Sequence, residues 1–415
     1  MFTKIKREYR EYPNPFKVLV LATFIDRLGG FLLFPFFSLY LIERFGVGVT
    51  QVGILFAMFS GGSIIGSTIG GALADKYGRR SMLLLGLISS GIGSILMGLV
   101  DNLYIFFIIA AFLGVLGDLG RPARQAMVVD LLPQDKQAEG FGILRVFVNL
   151  SATIGPMLGG ILASQSYMFL FIGDAVSSLI TALIVFFVIP ETKPEKKDDK
   201  PEESVINTLI GYKEVFKDSL YIIFLAVSAI TVLVYMQLNS TLSVFLLMEH
   251  DFPPEGFGLL LSMNALMVVL FQFWITKRVS NYAPMKMMAF GTLLYMIGFG
   301  MYGFITEIYL FFVAMAILTV GEMIVLPVSQ AVVAKLAPED KRGRYMAVYG
   351  FHWALPTLFG VIIAGLIMDY IGPNLVWYLA GILSLISIIG FLLLQGVTKD
   401  RISKETETSV EELSE

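Results

Sequence analysis

The chain has 415 residues, of which 56% are hydrophobic and only 15% charged, with 34 Phe, 40 Gly and a formal net charge of −3. A soluble domain carries about 25% charged residues, so this composition belongs to the membrane class. With no cysteine and two histidines, His250 and His352, disulfides and Cys-ligated zinc or iron–sulfur centres are excluded, a multi-histidine metal site lacks ligands, and no metal or cofactor is expected.

The N-terminal segment is basic (Lys4, Lys6, Arg7, Arg10) and turns apolar at Phe16. Asp26-Arg27 interrupts the apolar run and no small-residue cleavage pattern follows, so it reads as a retained first helix and not as a signal peptide. A hydrocarbon core of about 30 Å needs roughly 20 apolar residues per helix. Twelve such stretches follow in order, at 16–43, 51–74, 81–100, 104–132, 139–163, 167–190, 219–248, 256–276, 286–304, 308–336, 344–370 and 374–397. Their length and lack of period-2 alternation argue against strands. The expected fold is an all-α membrane protein with twelve transmembrane helices in two pseudo-symmetric six-helix bundles.

Lys and Arg gather in alternate connections, among them Lys76, Arg79 and Arg80 after span two and Lys335, Lys341, Arg342 and Arg344 after span ten, while the opposite loops hold Arg44. The positive-inside rule then puts both termini in the cytoplasm, and the expected location is the cell (inner) membrane. The longest connection begins ETKPEKKDDKPEES, a polar linker, and continues INTLIGYKEVFKDS, whose apolar spacing predicts a short amphipathic helix at the membrane surface. The tail SKETETSVEELSE is acidic and expected to be disordered. The expected division is therefore 1–190, a linker at 191–218, 219–397, and a tail at 398–415.

Positions 122–136 and 327–341 repeat one another without a gap. Pro122 and Pro133 align with Pro327 and Pro338, the Gln-Ala and Asp-Lys pairs coincide, and Gly155 maps to Gly360. Six spans separate the copies, which makes them parallel repeats related by an axis along the membrane normal.

The loop after span two reads Gly71-Ala-Leu-Ala-Asp75-Lys-Tyr-Gly78-Arg79-Arg80. It resembles the loop 2–3 signature of the major facilitator superfamily; the counterpart after span eight has decayed, with Ser280 and Pro284 where Asp75 and Arg79 stand. Gly155-Pro156-Met-Leu-Gly159-Gly160 in span five is similar to the motif of the twelve-helix drug:proton antiporters. Gly114 fits a further element of that pattern, but Ala110 and Ala111 occupy the place of its Arg. The resemblance implies that spans one, four, seven and ten line a central cavity. It also implies that Gly71, Asp75, Gly78 and Arg79, with Asp130 at the end of span four, form a conformational latch, Asp75 facing the start of span eleven.

Charges within spans must face protein or a wet cavity. They are Asp26, Arg27, Asp118, Arg121, Arg124, Arg145, Asp174 and Glu322. Asp26 is expected to pair with Arg121 or Arg124, which lie at similar depth. Asp118 can pair with Arg121 at i, i+3, whereas Arg27 points about 100 degrees away, toward another helix or the interface. Glu322 lies midway along span ten, and His352 alone among other acids and bases is comparably deep in the second half. A carboxyl without a fixed cation can exchange a proton near neutral pH, which a salt-bridged one cannot. Glu322 is therefore the leading proton carrier, with Asp26, Asp118 and His352 as further candidates. Arg121, Arg124, Arg145, Asn149, Tyr235, Gln237, Asn239 and Trp353 are candidates to line the cavity, and most Met and Phe residues are assigned to lipid.

These features imply a secondary transporter working by alternating access, with proton-coupled efflux of lipophilic or amphiphilic, drug-like compounds as the leading reading. The alternative is proton-coupled uptake or flipping of a polar or anionic solute such as a peptide, sugar, organic anion or lysophospholipid. The chain carries no phosphate loop, no H-E-x-x-H and no nucleophile elbow and is not expected to be an enzyme. The partners expected are a small-molecule substrate, protons and the lipid bilayer; nucleic acid is not expected, and one chain suffices for function.

Overall fold

The computed structural model describes residues 12–192, 215–338 and 342–412, and the amphipathic helix expected in the linker lies outside them. Among these residues twelve long helices follow in chain order. They are α1 (Asn14–Phe45), α2 (Val49–Tyr77), α3 (Arg79–Leu99), α4 (Leu103–Leu131), α5 (Glu139–Ala163), α6 (Tyr167–Val188), α7 (Ser219–Asn239), α8 (Pro254–Val279), α9 (Pro284–Tyr302), α10 (Ile308–Leu336), α11 (Arg344–Tyr370) and α12 (Asn374–Glu412). No strand occurs among the described residues. Eleven of these helices are long and apolar enough to cross a membrane. The other is α9, whose 19 residues include Lys286, Thr292, Tyr295 and Tyr302.

Several helices are broken where the sequence removes a backbone donor or inserts small polar residues. Pro35 sits in a 3-10 turn, Phe34–Phe36, within α1. Pro122 cannot donate to the Asp118 carbonyl, and α4 breaks there, between Leu103–Asp118 and Gly120–Leu131. The run expected to form span seven as far as residue 248 is interrupted instead: α7 ends in a 3-10 turn at Gln237–Asn239, and a separate short helix, Leu242–His250, follows Ser240-Thr241. At the other extreme α12 continues to Glu412, so residues 398–412, expected to be disordered, are helical. Glu and Lys, frequent in that stretch, are good helix formers.

Two compact units result. The first holds α1–α6, the short helix Leu242–His250, and α8 as far as Val269. In it α1 packs on α5 and α6, α3 on α4 and α6, and α2 on α4. The repeat places the beginning of α8 with the second bundle, but close glycine contacts join it to the first. A Cβ on Gly160 would lie 2.8 Å from Glu255 Cα, and Phe36 meets Phe257 with ring centres 6.0 Å apart. The second unit holds α7, the rest of α8 and α9–α12. Here α7 packs on α11 and α12, and α9 on α10 and α12, so four helix pairings of the first unit recur six helices later.

A polar clasp closes one end of the second unit. Arg401 reaches both oxygens of Asp218, at 2.9 and 2.7 Å, and donates to the Leu336 carbonyl at 2.6 Å. Tyr345 donates to Asp218 at 2.7 Å, and Asp218 caps α7 through Tyr221 N–H. Burial opposes the Asp218 charge, but hydrogen bonds from Tyr345, Arg401 and the Tyr221 amide outweigh it and hold the carboxyl below its ordinary value. Asp218 and Tyr345 push the Arg401 guanidinium up against the opposing effect of its burial.

Candidate functional site: a charged and aromatic cavity

The broken region of α4 and the Pro35 region of α1 border a cavity of about 460 Å³ inside the first unit, a size typical of small-molecule sites. Its polar lining comprises Asp26 and Arg27 on α1, Ser90 and Ser94 on α3, Asp118, Arg121 and Arg124 on α4, and Asp174 on α6. Phe31, Phe34, Phe37, Phe56, Phe59 and Met97 form much of its apolar wall. The sequence reading gave a cavity role to few Phe residues, and these five line it nonetheless. Helical periodicity cannot distinguish a lipid-facing stripe from a cavity-facing one, since both are apolar.

Most of the cavity's charges are matched. Arg124 donates to Asp26 at 2.7 Å, and each side chain is only 14% exposed. Of the two arginines open to Asp26 from the sequence, the structure selects Arg124. Arg121 lies 3.6 Å from Asp118, which also accepts from Ser63. Asp174 is buried and accepts from Ser94. Arg27, expected to point away, lines the cavity with the others, so two neighbours about 100 degrees apart on α1, Asp26 and Arg27, both border it. Arg145 is exposed, and neither it nor Asn149 is among the cavity's lining residues.

The loop signature builds a second constellation at the junction of α2 and α3. Gly78 has φ +105°, a backbone region that favours glycine, and a Cβ there would lie 2.7 Å from the Glu191 carboxyl carbon. This turn presents the first amides of α3 to Glu191, which accepts from Arg79 N–H at 2.7 Å and Arg80 N–H at 3.2 Å. A carboxylate at a helix N-terminus satisfies orphan donors and suits the helix dipole. Arg79 forms an ion pair with Asp130, lies 4.0 Å from Asp75, and donates to the Ala126 carbonyl. Arg80 donates to the Phe186 carbonyl and lies 5.2 Å from the centre of the Phe186 ring. Gly71, also in this motif, has Pro122 as the neighbour of an added Cβ, at 3.9 Å.

Gly155 and Gly159 seat α5 on α1. A Cβ on Gly155 would lie 2.7 Å from Phe31 Cβ, and one on Gly159 would strike the Leu32 carbonyl. Pro156 lies inside α5, and its carbonyl faces Gly258.

In the second unit Tyr235 donates to Glu322 at 3.0 Å. The Tyr235 ring stacks on Tyr295 at 5.9 Å and meets Trp353 edge-on at 5.8 Å. Pro327 deprives the Met323 carbonyl of its helical donor, and Gln272 supplies a replacement at 2.9 Å. His352 is 3% exposed; its ring lies 3.9 Å from Tyr349, whose hydroxyl donates to Ser329. Gln237 is buried and donates to the Leu233 carbonyl one turn back, while Asn239 closes the 3-10 turn that ends α7.

Ser63, Ser94 and Glu191 escaped the sequence reading. Serine is common in packed membrane helices and gives no signal of its own. Glu191 could have been suspected from its place beside Pro190, directly after a span.

Buried charges around a cavity, set in apolar helices wired as two repeats, define a multi-pass membrane transporter. The chain matches the Major Facilitator Superfamily over residues 19–254 and 228–414, and it belongs to that family. It is 25% identical over 380 residues to a Na(+), Li(+), K(+)/H(+) antiporter of Planococcus maritimus, covering 85% of this chain and 89% of that one. It is 26% identical over 385 residues to a class H tetracycline resistance protein of Pasteurella multocida, covering 91% and 94%. Among solved structures, a nucleoside transporter superposes with a TM-score of 0.82 at 13% identity, covering 92% of this chain and 100% of that one. A POT family transporter in complex with 5-aminolevulinic acid superposes with a TM-score of 0.78 at 17% identity, covering 93% and 97%. These two structures speak to the fold alone.

Proposed function

We propose that this protein moves lipophilic or amphiphilic compounds out of the cell in exchange for protons, by alternating access between its two bundles. The observation that carries this reading is the 460 Å³ cavity, whose aromatic wall surrounds a floor of paired charges. The wall suits an apolar body, and the charges supply orientation. The relatives named for tetracycline resistance and for cation/proton antiport support export and proton exchange.

In this reading Glu322 carries the proton. Glu322 accepts a hydrogen bond from Tyr235, a neutral phenol that leaves a carboxyl able to bind and release a proton, while Asp26 is committed to Arg124. His352 and Asp118 are secondary candidates. The Arg79, Asp130 and Asp75 group, with Gly71 and Gly78, acts as the latch, and the glycines flanking Pro156 let α5 bend against α1. Both termini face the cytoplasm, the location is the cell membrane, and a single chain completes the pathway.

The test uses purified protein in proteoliposomes under imposed pH gradients, with lipophilic dye cations and organic anions as cargo. Dye movement against proton entry is expected; accumulation of an anion together with protons would favour uptake instead. Glu322→Gln is expected to lose gradient-driven transport while retaining substrate exchange, and unchanged coupling would remove Glu322 from its role.

A further inference from the structure

Arg27 stands apart among the cavity's charges. Asp26 and Asp118 are engaged by Arg124 and Arg121, and Asp174 accepts from Ser94. Among the described residues Arg27 makes no hydrogen bond or ion pair, yet it lines the cavity. Asp26, Asp118 and Asp174 act on the Arg27 guanidinium only at a distance, so its N–H groups stay available to an anion arriving in the cavity. Its planar fork of N–H groups matches a carboxylate, sulfonate or phosphate with two parallel bonds.

The residues along α1 state what accompanies that anion. Gly30, Phe31 and Phe34 lie three, four and seven residues beyond Arg27, on the same helical face, and all line the cavity. A Cβ added at Gly30 would have no atom within 4 Å, and the same holds at Gly117, which lines the cavity from α4. Gly30 therefore borders open space, with Arg27 on one side of it along α1 and Phe31 and Phe34 on the other. Seven residues of helix span about 10 Å.

We infer that Arg27 is a specificity-determining residue that binds the anionic end of an amphiphilic substrate, with the apolar body lying over Gly30 against Phe31 and Phe34. This rests on the cavity being a substrate site, as proposed above, and narrows its occupant to aromatic or aliphatic molecules whose anionic group lies about 10 Å from their far apolar end. Soluble organic anions and anionic lipid headgroups share this chemistry.

Binding by the full-length protein in detergent, without any gradient, tests it. The probes are 1-naphthaleneacetate and 2-(1-naphthyl)ethylammonium, which present one ring system with opposite charges. The carboxylate is expected to bind and the Arg27→Gln change to weaken it at least tenfold, with less than a threefold change for the ammonium probe. Gly30→Leu, which fills open space, is expected to abolish carboxylate binding. In the unaltered protein, phenylglyoxal is expected to modify Arg27 faster than the paired Arg124, and the carboxylate to protect Arg27. This readout stands even if Arg27→Gln does not fold. Repeating the protection in phosphatidylcholine nanodiscs with and without phosphatidylglycerol separates the sources: protection by phosphatidylglycerol alone assigns the anion to a lipid headgroup, and protection by the naphthyl carboxylate assigns it to a soluble compound. Equal reactivity of Arg27 and Arg124, or equal protection by the ammonium probe, overturns the inference. Carboxylate binding without proton-driven transport would sink the exporter reading and leave this one standing. Proton-driven transport of dye cations without carboxylate binding would do the reverse.

Discussion

The two units share their helix wiring and differ in how they hold charge. In the first, Asp26 and Arg124 are locked at 2.7 Å and a further acid–base pair lies on α4. In the second, the mid-helix acid is Glu322, which accepts a hydrogen bond from the neutral phenol of Tyr235. The repeat makes the contrast sharper: positions 122–136 and 327–341 align, yet Arg124 falls opposite Ser329 and Gly117 opposite Glu322. In the proposed function the paired charges of the first unit hold cargo, and Glu322 of the second changes protonation.

Changes to the cavity's charge pairs should cost stability, and changes around Glu322 should cost coupling. The largest effect is expected from Asp26→Asn, which leaves Arg124 without its carboxylate. Breaking such a pair costs about 3–5 kcal/mol, so the melting temperature of the solubilised protein should fall steeply. Adding Arg124→Gln should recover much of the loss, because no lone charge then remains. Should Glu322→Gln destabilise the protein as much as Asp26→Asn, the contrast between the units fails.

Arg401→Ala comes next. It removes a charge-assisted contact worth about 1.5–3 kcal/mol from the clasp on Asp218. Since the Asp218 carboxyl is held below its ordinary 3.8, its contribution is complete above that value and is lost as the pH falls through the lowered one. Thermal melts from pH 7 down to pH 3 should show less acid-dependent loss in Arg401→Ala than in the unaltered protein. Identical pH dependence would mean that the clasp does not support the second unit.

Tyr235→Phe should have the smallest effect on stability, about 1 kcal/mol, with a visible change in the pH profile of transport. A shift in that profile without a matching fall in melting temperature sharpens the contrast. A fall in stability alone would reduce Tyr235 to packing.

Much of this arrangement was legible in the sequence. Long apolar runs mark the helices because a bilayer leaves the backbone few alternatives, and intramembrane acids and bases mark a protected interior. That Asp26 meets an arginine of span four follows from depth; that it meets Arg124 depends on the break at Pro122, which redirects the helix beyond Asp118. The end of α7 at Gln237–Asn239 was hidden because the apolar pattern resumes directly after Ser240-Thr241. Arg27 was misplaced because a helical wheel gives an angle but not the breadth of the cavity. Arg145 was assigned to the lining from charge alone, and charge does not say which side of α5 it occupies.

Proton release on substrate binding tests the division of labour most directly. In weakly buffered detergent solution near neutral pH, adding a transported substrate to the full-length protein should release protons. Glu322→Gln should bind the same substrate without release, while the Asp26→Asn, Arg124→Gln double variant, at substrate concentrations that saturate it, should still release them. Release that survives in Glu322→Gln and disappears in the double variant would place the proton in the charge-paired unit and contradict this account.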